Sequence, residues 1–468
     1  MPADRDLSIL DGFRVAATVP AEFQTADFGD KRLTDRLQRI ATRLGRAPRQ
    51  SIPAACSDWA GTKATYRFCA NETVDPTDVL AAHTDAHADR LTDLDEVLVV
   101  SDTTHLTFPS HPAKEGLGDV GNSSIDIEGV KLHTTIGIDP TSQVMTGLLN
   151  QQVLVEDQST GEKYDTNGRT AVEYLESEQA KWRRGDEAAI EALPAGVRPI
   201  FIHDRGADAF SFHHWLAAEA PAAGAVIRAN QNRSIRTTGG EEARLFDWSE
   251  RLPERTGTTI EIEQGGNRSR REAELSISAG TCELCPPKND TTFEEPVEIN
   301  VVRVDEIGVD ADHEPIQWVL LTTEPVETVD EIETVIEYYR CRWKIEDWHQ
   351  VLKSGCRIED RQLETWERME VLLSIYSVVA WKVLELRELG RGSHGLPPGQ
   401  FLSGAEQAVL EAKDPDLEGE DGRAYAIAVA KVGGYLDRGS DPPPGWETMW
   451  KGLQEVRVMA KGFELGHS

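Results

Sequence analysis

The chain has 468 residues and carries 81 acidic against 49 basic side chains, a formal net charge of −32 at neutral pH. Hydrophobic residues make up 39%, enough at this length for two to three domains with a sizeable core. No apolar run reaches the length of a bilayer span and the charged stretch Met1 to Asp11 does not read as a signal peptide, so a cytoplasmic, nucleoid-associated protein is expected.

So large an acidic surplus weighs against a polyanionic partner. Arginine outnumbers lysine, however, and acids crowd loops such as 414–421 and 294–298, a pattern that fits the proteome of a halophile. At molar salt a dense carboxylate surface stays hydrated and its self-repulsion is screened within a few ångströms. What matters is then where the positive charge is kept. Cysteines at 56, 69, 282, 285, 341 and 356 form no disulfide framework, and Cys282-x-x-Cys285 reads as thiols in a strand-turn rather than half of a zinc site.

Residues to about 90 read as helical. The segment from Asp27 opens a helix with Leu33, Leu37, Ile40 and Leu44 on one stripe, and Arg32, Arg36, Arg39 and Arg43 on the adjacent stripe. Lys63 and Arg67 repeat the theme within residues 60–68. In so acidic a chain these six cations point to a phosphate-tracking surface.

Strands begin at Glu96. Val97–Asp102 is a short apolar run ending in an acid, followed by strands at about Val130–Ile138 and Val144–Val155 around an Asp139–Ser142 turn. Residues 169–193 read as a helix broken near Gly185. Arg198–Asp204 is a second apolar strand ending in an acid, and a helix at about Asp208–Ala218 leads to a third buried strand, Ala222–Arg228. The order predicts an α/β fold with a mixed sheet covered by helices. Residues 229–325 interrupt it as an inserted antiparallel β unit, with alternating stretches at 257–264, 270–279, 297–304 and 316–322. From about Trp366 the chain is helical again, with one long helix to Leu389 and two more near 423–436 and 445–464.

The most informative stretch is Tyr338–Lys353. Thr328 and Glu331 form a capping box, and no Gly or Pro interrupts Val329–Lys353, which predicts one continuous helix. On it Tyr339, Arg342, Glu346 and Lys353 share an arc of about 60°. Together with two acids at strand ends, where ligands gather in α/β sheets, Glu346 makes a candidate cluster of Asp102, Asp204 and Glu346. Three converging carboxylates raise one another's pKa and call for cations. Two Mg²⁺ ions, with Mn²⁺ as a substitute, held about 3.5–4 Å apart would activate a water or 3′-hydroxyl and stabilise a leaving oxygen of a phosphodiester. Asp102 would bridge both ions, Asp204 and Glu346 would each hold one, and Arg342 and Lys353 would neutralise phosphate charge.

These residues resemble the insertion-sequence-four group of DDE transposases. The likeness covers essentially the whole chain: Phe28–Leu33 and Ala64–Phe68 in the N-terminal part, Ser101-Asp102-Thr103-Thr104 as the first motif and His203–Asp208 as the second. The third is the group's Y-R-E-K signature, at Tyr339, Arg342, Glu346 and Lys353. The resemblance implies an RNase H-like catalytic core (91–370) with the β insertion. It also implies a helical N-terminal domain (1–90) that binds transposon ends and a helical C-terminal domain (371–468) used in dimerisation. It further implies cut-and-paste chemistry on double-stranded DNA, from terminal inverted repeats to target, by a homodimer in a synaptic complex. Trp318 and Trp343 would stack a flipped base at the hairpin, and Arg228 would contact DNA. Gly206 stands where close relatives keep an acid. A two-metal nuclease without strand transfer, or an inactive end-binding protein, are the alternatives.

Since phosphate binding weakens as salt rises, folding rather than DNA binding should set the salt requirement. Circular dichroism in dilute buffer is expected to show lost structure that molar salt restores; a full native spectrum without salt contradicts this.

Overall fold

The computed structural model describes residues 19–120, 127–155, 178–262, 271–288, 291–309, 315–391, 398–400, 402–438, 441 and 443–467. The N-terminal part holds helices α1 (Lys31–Arg46), α2 (Ile52–Cys56), α3 (Trp59–Cys69) and α4 (Pro76–Leu91). Asp30, Ser51, Asp58 and Asp75 cap them through side-chain oxygens, which satisfies amide donors that each first turn leaves unpaired. Leu37, Ile40 and Leu44 are buried as their stripe predicted.

The strands follow as β1 (Glu96–Thr107), β2 (Gly118–Asp119), β3 (Glu128–Ile138) and β4 (Met145–Leu154). Then come α5 (Lys181–Ala192), β5 (Arg198–His203), α6 (Phe210–Glu219) and β6 (Gly224–Arg228). β1, β5 and β6 are parallel neighbours, while β3 runs antiparallel to β1 and to β4. The central strands alternate between two cores: Leu98, Val100, Ile200, Ile202 and Val226 face one, and Val97, Val99, Phe201, Ala225 and Ile227 the other. Period-two burial on both faces is what a sheet sandwiched between helices requires.

Two expectations are corrected here. The first strand does not end at Asp102 but continues to Thr107, since β3 keeps pairing with it after β5 has left. The helix is not broken at Gly185: α5 runs through it, and a Cβ there would lie 2.7 Å from Thr135 Oγ1 on β3. Glycine is present for close approach of helix to sheet, not as a stop. Residues 169–177 of the expected helix lie outside the described residues.

The insertion contains β7 (Ser234–Thr237), β8 (Glu242–Arg244), α7 (Leu245–Ser249), β9 (Glu254–Ile262), β10 (Arg271–Leu284), β11 (Val297–Ile307) and β12 (Gln317–Thr322). It is not a detached unit. β12 pairs antiparallel with β6, so twelve strands among the described residues form one sheet, ten of them in the order β2-β3-β1-β5-β6-β12-β11-β10-β7-β8, with β4 pairing β3 and β9 pairing β10 off that path.

The chain then forms α8 (Val329–Arg340), α9 (Trp343–Gln350), a π-helical turn at Val351–Gly355, and the long α10 (Trp366–Arg391). Helices α11 (Gly404–Lys413), α12 (Gly422–Val432) and α13 (Trp446–His467) complete it. Met369, Leu372, Ile375, Tyr376, Val379, Trp381 and Val383 are all sealed, so α10 is apolar around its circumference and serves as a central spine. The expected boundary at residue 371 falls inside this helix. Glu22, buried beside it, accepts from His83 at 2.8 Å and Arg90 at 3.1 Å and faces Lys382 at 3.5 Å, which ties the N-terminal segment to the spine. Burial alone would raise the Glu22 carboxyl, but Lys382, His83 and Arg90 together hold it well below the usual carboxylate range.

Trp381 is fully buried and donates its indole N–H to Met145 O at 2.9 Å, joining α10 to β4. Trp381→Ala should cost about 3–5 kcal/mol in denaturant unfolding at high salt; a loss under about 1 kcal/mol by the same scale would remove it from the core.

Candidate active site

Register places the first two acids together. In the parallel ladder of β1 and β5, Val100 lies opposite Ile202. Asp102 and Asp204 each come two residues later, so both fall on the face of Val100 and Ile202, where the two strands part. Neighbouring strands are about 4.8 Å apart. Asp204 caps the short turn Arg205–Ala207, its Oδ1 accepting from Gly206 N at 2.7 Å, and Asp102 Oδ1 accepts from Thr103 N at 2.7 Å.

The third acid comes from α9, which packs against β1. The helix expected to run from Val329 to Lys353 is interrupted at Cys341–Arg342. There Arg342 N, Lys344 N and Ile345 N bond to carbonyls three residues back instead of four, a tightened turn. No Gly or Pro announces it; packing of Tyr339, Cys341 and Arg342 into the core decides it. The turn buries Arg342, whose Nη2 donates to Glu346 Oε1 at 2.8 Å while its guanidinium lies 4.6 Å from the Trp343 ring centroid. Its Nε is buried with no partner.

Electrostatics links the three acids. Burial first, and then the charges of Asp204 and Glu346, push the Asp102 carboxyl up to about 6, against the Thr103 N–H and Arg342. Burial and the two neighbouring carboxylates thus outweigh the Arg342 cation at Asp102. The donor set is that of hard divalent cations, all carboxylate oxygen, and by this chemistry Asp102, Asp204 and Glu346 fit such ions. As they stand, Glu346 is held by Arg342, and among the described residues no group of three or more His, Cys, Asp or Glu side chains is gathered closely enough to hold a metal ion.

The remaining expected residues divide. Tyr339 is buried, edge-on to Trp318 at 5.2 Å, and faces Arg228, whose Nη2 donates to Gln317 O at 2.8 Å. Trp318 is 8% exposed whereas Trp343 is 42% exposed, so the two tryptophans differ in access. Lys353 lies in the π-helical turn, beside buried His349.

In the N-terminal stripe, Arg32 is paired with Asp30 at 2.7 Å and Arg43 with Asp58 at 2.9 Å, so two of its four arginines are already neutralised. Arg36 is half-buried, and Arg39, Lys63 and Arg67 are exposed. Sequence reasoning missed Trp59, 78% exposed, which with Lys63, Tyr66, Arg67 and Arg368 lines a cavity of about 340 Å³. It also missed Asp208, which accepts from Asn230 N at 2.7 Å and from His213 and Arg233, pinning the second motif to the β6–β7 loop. Its place in the His203–Asp208 motif was the available signal.

Residues 95–381 match the family model described as Transposase DDE domain, and residues 16–74 match one described as Transposase DNA-binding. The structure is also similar, with a TM-score of 0.35 and 11% identity over 83% of this chain and 76% of the other, to the piggyBac transposase in a synaptic complex with hairpin DNA determined by cryo-EM.

An Asp102 pKa raised in the folded state favours the neutral carboxyl. Its ionisation therefore costs stability progressively from about pH 4, fully above about pH 6. In metal-free protein, Asp102→Asn should raise stability by about 1–3 kcal/mol at pH 8 and by almost nothing near pH 4, read from urea midpoints. Equal effects at both pH values contradict the shift.

Proposed function

Because the chain belongs to the DDE transposase family and is thus an enzyme that cleaves and transesterifies DNA, we propose that it performs cut-and-paste transposition of an insertion sequence of the insertion-sequence-four type. The observation that supports this reading is the placement of Asp102 and Asp204 two residues beyond the paired Val100 and Ile202, with the charges of Asp204 and Glu346 both acting on Asp102. The strand order β4-β3-β1-β5-β6, with β3 alone reversed, supports an RNase H-like core.

Asp102, Asp204 and Glu346 would hold two divalent ions, Mg²⁺ or Mn²⁺. When bound, such ions supply Lewis acidity that activates a water or 3′-hydroxyl and takes up charge on the leaving oxygen. Arg342 neutralises developing phosphate charge; its unpartnered Nε is a donor in reserve for a non-bridging oxygen. Lys353 adds a second cation, Tyr339 and Arg228 position the strand, and the exposed Trp343 face stacks an extruded base. Buried Trp318 supports Tyr339 and becomes a stacking surface only if DNA parts the pair.

The DNA partners are the element's terminal inverted repeats and its target. The N-terminal helices bind the ends through Arg36, Arg39, Lys63 and Arg67, with Arg32 and Arg43 joining if DNA displaces Asp30 and Asp58. Two copies assemble on paired ends, with the C-terminal helices in contact. The acidic surface fits a cell with molar internal salt.

The test is incubation of purified protein with its own element's ends, a divalent ion and high salt, scored for nicks, hairpins and joined products. Asp102→Ala, Asp204→Ala and Glu346→Ala should each lower cleavage by about a thousandfold or more, by the scale of losing a core catalytic group, with end binding kept. Appreciable cleavage by any one of them removes that residue from the site. Trp343→Ala and Trp318→Ala should nick normally and accumulate little hairpin; normal hairpin yield dismisses the stacking role.

A further inference from the structure

On a strand, adjacent side chains point to opposite faces. Asp102 faces Glu346 and Arg342 of the α9 side, so its neighbour Thr103 points the other way, toward α5, and His203, the last residue of β5, faces α5 as well. Both are held there. Thr103 Oγ1 lies 2.9 Å from His133 Nδ1, and His203 Nε2 lies 2.8 Å from Asp186 Oδ2, with His133, His203 and Asp186 fully buried.

Between the two pairs stands Trp182, one turn before Asp186 on α5. Its ring centroid is 4.8 Å from His133 and 5.1 Å from His203. The same ring reaches Gly206, where a Cβ would lie 2.8 Å from Trp182 Cζ2 and 2.9 Å from Asp204 Oδ1. Only a glycine lets the amide that binds Asp204 sit this close to the indole. Gly185 completes the fit by letting α5 approach Thr135, whose hydroxyl meets Ser101 Oγ at 2.9 Å. One helix thus braces both motif strands from beneath.

Burying a carboxylate and two imidazoles costs stability unless they are paired. Here Asp186 Oδ1, His203 Nδ1 and His133 Nε2 remain without partners. A core built for stability alone would fill this space with apolar side chains. We propose that α5 is a positioning helix, in which Asp186, acting through His203, and Trp182, wedged between His133, His203 and Gly206, fix the Asp102 and Asp204 carboxylates for divalent-ion binding. This rests on the reading of Asp102 and Asp204 as metal ligands.

The experiment titrates the full-length, DNA-free protein with Mn²⁺ at molar salt and follows free ion by electron paramagnetic resonance. Asp186→Asn keeps the shape and should weaken Mn²⁺ binding by about tenfold, within the range for residues that act on a site through packed neighbours. In a His203→Gln background the same substitution should change affinity by less than about twofold, because its only route of action is gone. Wild-type affinity in Asp186→Asn, or equal losses in both backgrounds, overturns the proposal. Trp182→Phe is an independent arm that serves if Asp186→Asn does not fold. It should weaken binding by about tenfold on the same basis, and unchanged binding overturns the proposal. Asp204→Ala separates the two levels: if it keeps full Mn²⁺ stoichiometry and end cleavage, the metal-ligand reading itself falls, whereas its loss beside an unaffected Asp186→Asn condemns only the role of α5.

Discussion

The parallel ladder between β1 and β5 is the constraint on which the site depends. Its register aligns Val100 with Ile202, and that alignment alone brings together two acids separated by about a hundred residues of chain. The strands diverge immediately afterwards, so two carboxylates stand at a fork in the sheet rather than within a flat ladder. Register is enforced by burial on both faces: a slip of one residue would exchange the contents of two cores. The geometry of the acids is therefore only as secure as the apolar alternation beneath them.

Against that fixed pair, the third acid arrives on a helix whose backbone is locally irregular. The tightened turn at Cys341–Arg342 and the widened turn after Gln350 bracket α9. Between them Arg342 is drawn inward and Glu346 is held by it, while Asp102 sits among like charges. Such a centre is electrostatically unfinished, and the family to which the chain belongs acts on a polyanion with divalent ions, which are what would finish it.

Much of this was legible in the sequence because two signals coincided. Short β-branched runs ending in Asp located β1 and β5, and the tyrosine-arginine-glutamate-lysine spacing located the third acid. What was not legible had no local signature. Gly185 reads as a helix breaker by propensity, yet helix-to-sheet contact with Thr135 is what selects it. The break at Cys341 lies in a stretch free of Gly and Pro, and tertiary burial overrides propensity there. The arginine stripe on α1 looked uniformly basic because Asp30 and Asp58, which take up two of its members, lie outside the helical period. Trp182 and Asp186 are single residues in an ordinary amphipathic pattern, and only the parity of the strands above them shows what they support.

The pairing of β12 with β6 also changes what the insertion is mechanically. Without it, β6 would present a bare row of amide and carbonyl groups, an invitation to intermolecular strand addition. The segment that interrupts the core in sequence thus closes the core's own open margin in space. Torsion applied to the far strands would therefore pass along one continuous ribbon of hydrogen bonds to the floor beneath the two aspartates.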